Sequence, residues 1–141
     1  MKWITLLIGV MLVIAYGIPR VSKDIDLFIK ATQKNTEKLL KALKEAGIGT
    51  ASLTTAKEIS DHEITVFKDY LRVDILTKVK GLDFEKAYQS RDFLEMDGLL
   101  IPALNYQDLL KSKKSAGRPR DLEDIKELEK VKKILEANKS L

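Results

Sequence analysis

The segment that most constrains this chain is its first. Trp3 to Tyr16 reads Trp-Ile-Thr-Leu-Leu-Ile-Gly-Val-Met-Leu-Val-Ile-Ala-Tyr, an almost unbroken apolar run directly after Met1-Lys2. Water solvates such a stretch poorly, so it must be enclosed by protein, inserted into lipid or removed. It falls short of the roughly 20 apolar residues that a membrane span needs. Its basic start and its small-residue Ala15-Tyr16-Gly17 end imitate a secretory leader. The run nevertheless passes straight into Gly17-Ile18-Pro19-Arg20 and a charged strand, with no spacer between. We therefore read it as a buried element, the opening helix of the domain.

The rest of the composition narrows the chemistry. A chain of 141 residues has room for one domain with a real core. Its net charge of +4 is compatible with a phosphate-bearing partner, although charge of this size is common in proteins that touch none. The absence of cysteine excludes disulfides and thiolate metal sites. A single histidine, His62, excludes any site that needs two.

Local patterns give the order of elements. After the turn signal at Gly17 to Arg20, the segment Asp24 to Ile29 alternates as a strand with one buried face. Thr32 is a candidate cap for a helix carrying Leu39, Leu40 and Leu43, which ends at Gly47 and Gly49. Residues 50–62 read as loop with one short helix. Glu63 to Phe67 and Leu71 to Thr77 read as neighbouring strands, and Phe84 to Ser90 as a short helix. Asp97-Gly98, between Phe93 to Met96 and Leu99 to Ile101, is a hairpin signal. Asn105 opens a helix, and Pro119 begins the last one, with an apolar stripe of Leu122, Ile125, Leu128, Val131 and Leu135. The expectation is an α+β (mixed α/β) domain that starts and ends helical, a mixed β-sheet flanked by helices with C-terminal helices following. It is read as one domain, 1–141, with a core of about 1–103 and a helical part of about 104–141.

Three acids stand out. Asp24 and Asp26 are two apart on a strand, so both side chains leave the same face. Two such carboxylates repel unless a cation lies between them. Asp74 lies within the otherwise apolar Val73 to Leu76 strand, where a charge is costly unless paired or metal-bound. Set beside the first strand, it completes a cluster suited to Mg²⁺, which takes oxygen ligands and bridges phosphates. Spacing alone also admits a bland reading, in which alternating acids mark a solvated strand face.

The order of motifs adds a resemblance. Leu7-Ile8-Gly9, then Ala15 to Arg20, then Ser22-Lys23-Asp24-Ile25-Asp26-Leu27 resembles the opening of the nucleotidyltransferase superfamily, with its DNA-polymerase-beta-like fold. The tail Asp108 to Lys113, then Ala116-Gly117-Arg118-Pro119-Arg120-Asp121-Leu122-Glu123-Asp124, is similar to the AbiEii-type toxin branch and its minimal relatives. The likeness spans roughly residues 7–29, 71–77 and 97–128. It implies Asp24, Asp26 and Asp74 as catalytic, metal-binding acids for Mg²⁺ or Mn²⁺, with Asp74 helping to deprotonate an acceptor hydroxyl. It implies a nucleotide- or phosphate-binding set of Gly9, Arg20, Ser22, Lys113, Asp121 and Asp124. For Asp121 and Asp124, acids favoured by a helix N-terminus are an equal alternative. For Arg118 and Arg120, a solvated basic turn is the preferred reading.

The function so implied is transfer of a nucleoside monophosphate from a nucleoside triphosphate to a hydroxyl of RNA, tRNA included, or of protein. The protein would be cytoplasmic, without a membrane, as monomer or homodimer, with a toxin–antitoxin role and a cognate partner as one setting. One departure favours a second reading. Gly9-Val10 stands where the superfamily usually shows Gly-Gly or Gly-Ser, and Val10 offers no side-chain hydrogen bond. A non-catalytic nucleotide-binding or antitoxin module would tolerate that. A small secreted protein is the third reading, resting on the apolar run alone.

Overall fold

The computed structural model describes residues 4–17 and 24–139. The apolar opening is divided: Thr5–Ile8 is strand β1 and Gly9–Ala15 is helix α1. The expectation of a helical start is corrected accordingly. The joint is Gly9, whose φ of +76° an L side chain rarely adopts and glycine adopts freely. An apolar run carries no period by which such a break shows in the sequence.

From there the chain runs through β2 (Asp24–Ile29), α2 (Gln33–Glu45), a 3₁₀ turn (Gly49–Leu53) and α3 (Ala56–Asp61). Then come β3 (Ile64–Lys68), β4 (Arg72–Leu76), α4 (Phe84–Gln89), β5 (Asp92–Met96) and β6 (Leu99–Ala103). Helices α5 (Tyr106–Ala116) and α6 (Pro119–Lys139) follow. The expected caps form, because each is settled within one turn of chain. Thr32 Oγ1 accepts from the Asn35 N–H at 3.2 Å, and Asn105 Oδ1 from the Asp108 N–H at 2.7 Å. Asp97 and Gly98, at φ of 52° and 80°, make the tight turn between β5 and β6.

The six-stranded sheet has the order β3-β4-β2-β1-β6-β5. Strand β2 pairs antiparallel with β1 and parallel with β4, and β1 pairs parallel with β6, so the sheet is mixed and the class α+β as expected. Helices pack on both faces. Leu39, Leu40 and Leu43 of α2 and Ile59 of α3 bury Ile29, Val73 and Ile75 on one side. On the other, Leu12 and Val13 of α1, Leu109 and Leu110 of α5, and Ile125 and Leu128 of α6 enclose Leu6, Ile8 and Phe28. Strand β2 is therefore central, and Phe28 and Ile29 are both buried, against the expectation of one buried face.

The stripe expected on α6 also needs correction. Ile125 and Leu128 are buried, but Leu122 and Leu135 are about half exposed, at 48% and 55%. The inward positions are Asp121, Asp124, Ile125 and Leu128, a helical face with two carboxylates on it. Hydrophobic pattern finds Ile125 and Leu128 but passes over the two acids beside them, because it treats carboxylates as solvent-facing.

Candidate active site

Parallel pairing of β2 with β4 sets Asp24 opposite Arg72 and Asp26 opposite Asp74. Residues in register and two apart share a face, so these four side chains leave the sheet together on the α5/α6 side. Antiparallel pairing of β1 sets Ile8 opposite Asp26, which brings Gly9 against that carboxylate. A Cβ at position 9 would run into Asp26, so the backbone here approaches an acid as closely as glycine alone allows.

Helices α5 and α6 form the opposite wall. Lys113 Nζ lies 2.9 Å from Asp124 Oδ2 and 3.6 Å from Asp121 Oδ1, and the three side chains are 11%, 2% and 3% exposed. A buried charge is tolerable only when paired, and this trio pairs internally. Asp121 also accepts from the Arg118 backbone N–H at 3.2 Å and from Arg118 Nε at 2.6 Å. It thus closes the first turn of α6 and pairs with Lys113 at once. Burial pushes the Asp121 carboxyl up, but the hydrogen bonds and charge of Arg118 and the charge of Lys113 outweigh it and hold it below the ordinary value of 3.8.

Between the walls lies a cleft of about 510 Å³ lined by Gly9, Asp24, Asp26 and Asp74 from the sheet side and by Lys113, Asp121 and Asp124 from the helices. Of the residues singled out in the sequence these meet at one place, while Arg20 and Ser22 lie outside the described residues. Sequence reasoning passed over further members. Arg118 and Arg120, read as a basic turn in solvent, are exposed and border the cleft. Lys78 and Lys80, on the segment after β4, border it too, and Gly81 fixes that segment by packing where a Cβ would meet Ser115 of α5.

Arg72 was missed altogether. Its Nε and Nη2 donate to Asp74 Oδ1 and Oδ2 at 2.9 and 3.3 Å, a forked bond between side chains 43% and 13% exposed. The bond to Asp74, then its charge, then the charges of Asp24 and Asp26 raise the guanidinium above its ordinary value. The one available signal was position: Arg72 is two before Asp74 on the same strand, so it had to share its face.

Among the described residues, no three side chains of the metal-binding types close on a common point as they stand. The donor set nonetheless suits a hard divalent cation: carboxylates on one sheet face, two of them in register, with a glycine backbone against one. Asp74, in register with Asp26, is engaged by Arg72.

Residues 4–140 match the family described as "Nucleotidyl transferase of unknown function (DUF2204)", and the chain belongs to it. The nucleotidyltransferase superfamily resemblance, carried by residues 7–29, 71–77 and 97–128, agrees with this family. No protein of curated function matches it.

Proposed function

We propose that this protein is a divalent-cation-dependent nucleotidyltransferase that moves a nucleoside monophosphate from a nucleoside triphosphate to a hydroxyl. The observation that carries this reading is the convergence of Asp24, Asp26 and Asp74 on one wall of a cleft whose other wall presents buried Lys113. Asp24, Asp26 and Asp74 would hold Mg²⁺ or Mn²⁺, which when bound supplies neutralisation of the triphosphate and of the leaving pyrophosphate. Gly9 supplies a backbone surface for phosphate. Lys113 faces the cleft from the C-terminal helices and balances phosphate charge, with Asp121 and Asp124 holding it in place. Asp74 takes the proton of the acceptor hydroxyl as that oxygen bonds to the α-phosphorus. The bond from the α-phosphorus to the bridging oxygen breaks, and pyrophosphate carries the electron pair away.

RNA is the favoured acceptor, tRNA first, because Lys78, Lys80, Arg118 and Arg120 give the cleft a basic border, and protein hydroxyls come second. With such substrates the protein would work in the cytoplasm. No described helix is long and apolar enough to cross a membrane. A toxin–antitoxin setting follows from the AbiEii-like tail, with a cognate partner chain. We take 1–141 as a single domain, working as a monomer or homodimer.

A second reading, a non-catalytic nucleotide-binding or antitoxin module, draws on Gly9-Val10 and on the engagement of Asp74 by Arg72. Incubation with each α-labelled NTP, Mg²⁺ and total tRNA separates the two. Label transferred by the wild type and lost in Asp24→Ala/Asp26→Ala supports the transferase. Mg²⁺-dependent NTP binding with no transfer to tRNA or to protein supports the module.

A further inference from the structure

Three acids and one guanidinium share a sheet face, and the guanidinium stands among the acids where a cation is most stabilised. Arg72 lies opposite Asp24 in register, two residues from Asp74 on its own strand, and forks onto the Asp74 carboxylate. Resting on the metal-dependent reading above, we propose that Arg72 is the built-in counter-cation of this site, and that Arg72 and a divalent cation compete for Asp74.

The physical argument is one of shared ligands. Both Asp74 oxygens accept from Arg72, so the fork fixes the orientation of that carboxylate and takes one lone pair on each oxygen that a metal ion would share. A guanidinium beside an incoming dication is repelled, at a distance where the screening of bulk water is incomplete. The two cations therefore exclude each other at Asp74. Asp24, Asp26 and Asp74 leave one sheet face, where like charges repel. Arg72 relieves that repulsion in the metal-free protein. It also sets a threshold that a metal ion must overcome, one that metal arriving with a triphosphate can meet more readily than free metal. Freed from Asp74, the 43%-exposed guanidinium is left at the border of the cleft, able to meet substrate phosphate. Arg72 is thus a positioning residue that acts through Asp74.

Direct titration of the full chain with Mn²⁺, read by electron paramagnetic resonance and calorimetry, tests this without any turnover. Arg72→Gln keeps a hydrogen-bond donor and loses the charge, whereas Arg72→Lys keeps the charge and loses the fork. Competition predicts a Mn²⁺ Kd lowered about two- to five-fold in Arg72→Gln, the size expected on freeing a half-exposed ion pair. It predicts a smaller lowering in the same direction for Arg72→Lys. A gain in Arg72→Gln with none in Arg72→Lys reduces the effect to a long-range field and overturns direct competition. An unchanged or weaker Kd in both, with folding intact by circular dichroism, overturns the inference while leaving the metal-dependent reading standing. Failure of wild type and both variants to bind Mn²⁺, alone or with NTP, overturns that reading and the inference together.

Discussion

At the scale of single residues, Gly9 and Lys113 meet opposite constraints. Gly9 combines a positive φ with contact against Asp26, so any side chain meets both backbone strain and a carboxylate. Gly9→Ala should cost about 1–2 kcal/mol of stability from its conformation alone. Displacement of Asp26 should lower nucleotide transfer about 100-fold, the scale of a 1 Å misplacement. Urea unfolding and the labelled-NTP assay check the two halves. Lys113 lies between two buried acids, so Lys113→Met should destabilise by about 3 kcal/mol by removing their shared cation, with Asp121 still held by Arg118. Adding Asp124→Asn should restore part of that stability but no transfer activity. Restoration of both would mean that Lys113 serves the fold alone.

At the scale of elements, the join of α5 to α6 carries a pH dependence. Asp121 is held below 3.8 in the folded protein, so the folded state binds its proton less readily than the unfolded chain does. Its stabilisation is fully present above the unfolded value and is lost as pH falls through the folded one. Thermal midpoints of the wild type should therefore fall steeply below about pH 4, and Asp121→Asn should flatten that acid limb. An equally steep limb in the variant would assign the acid sensitivity to other carboxylates.

Much at this scale was legible in the sequence because it is local. Strand β2, the caps at Thr32 and Asn105 and the turn at Asp97-Gly98 each depend on a handful of neighbouring residues. Asp24 and Asp26 stood out for the same reason, through spacing of two on a strand, and Asp74 through its place in an apolar strand, while Asp121 and Asp124 came from the resemblance. The parts that were not legible depend on pairing across the chain. The register that faces Asp24 with Arg72 is absent from any single segment, and within its own strand only the shared face with Asp74 pointed to Arg72. Asp121 and Asp124 turn inward because Lys113, on another helix, compensates them. No periodicity in α6 contains that information, and Leu122 and Leu135 were assigned inward in their place.

At the scale of the whole molecule, the helical tail and the sheet form one wall each of the cleft and share a core. Leu109, Ile125 and Leu128 pack in the same cluster as Leu6, Leu12 and Phe28. The second cluster, under α2 and α3, lies across the sheet, and strand β2 joins the two through adjacent Phe28 and Ile29. We therefore expect residues 1–103 and 104–141 to unfold as a unit, although the described part of the latter holds only the helices α5 and α6. Leu128→Ala removes a side chain that is 1% exposed and should cost about 2–5 kcal/mol. If the chain is one cooperative unit, that loss appears undiminished at amides far from the mutation. Native-state hydrogen exchange should then show protection falling by the same free energy in β4, which packs on α2, as in α6 itself. A loss confined to α5 and α6 would make the tail a separate unit, docked on a sheet that stands without it. The cleft would then be assembled by docking, and the approach of Lys113 to the acids would become a step that substrate binding could drive.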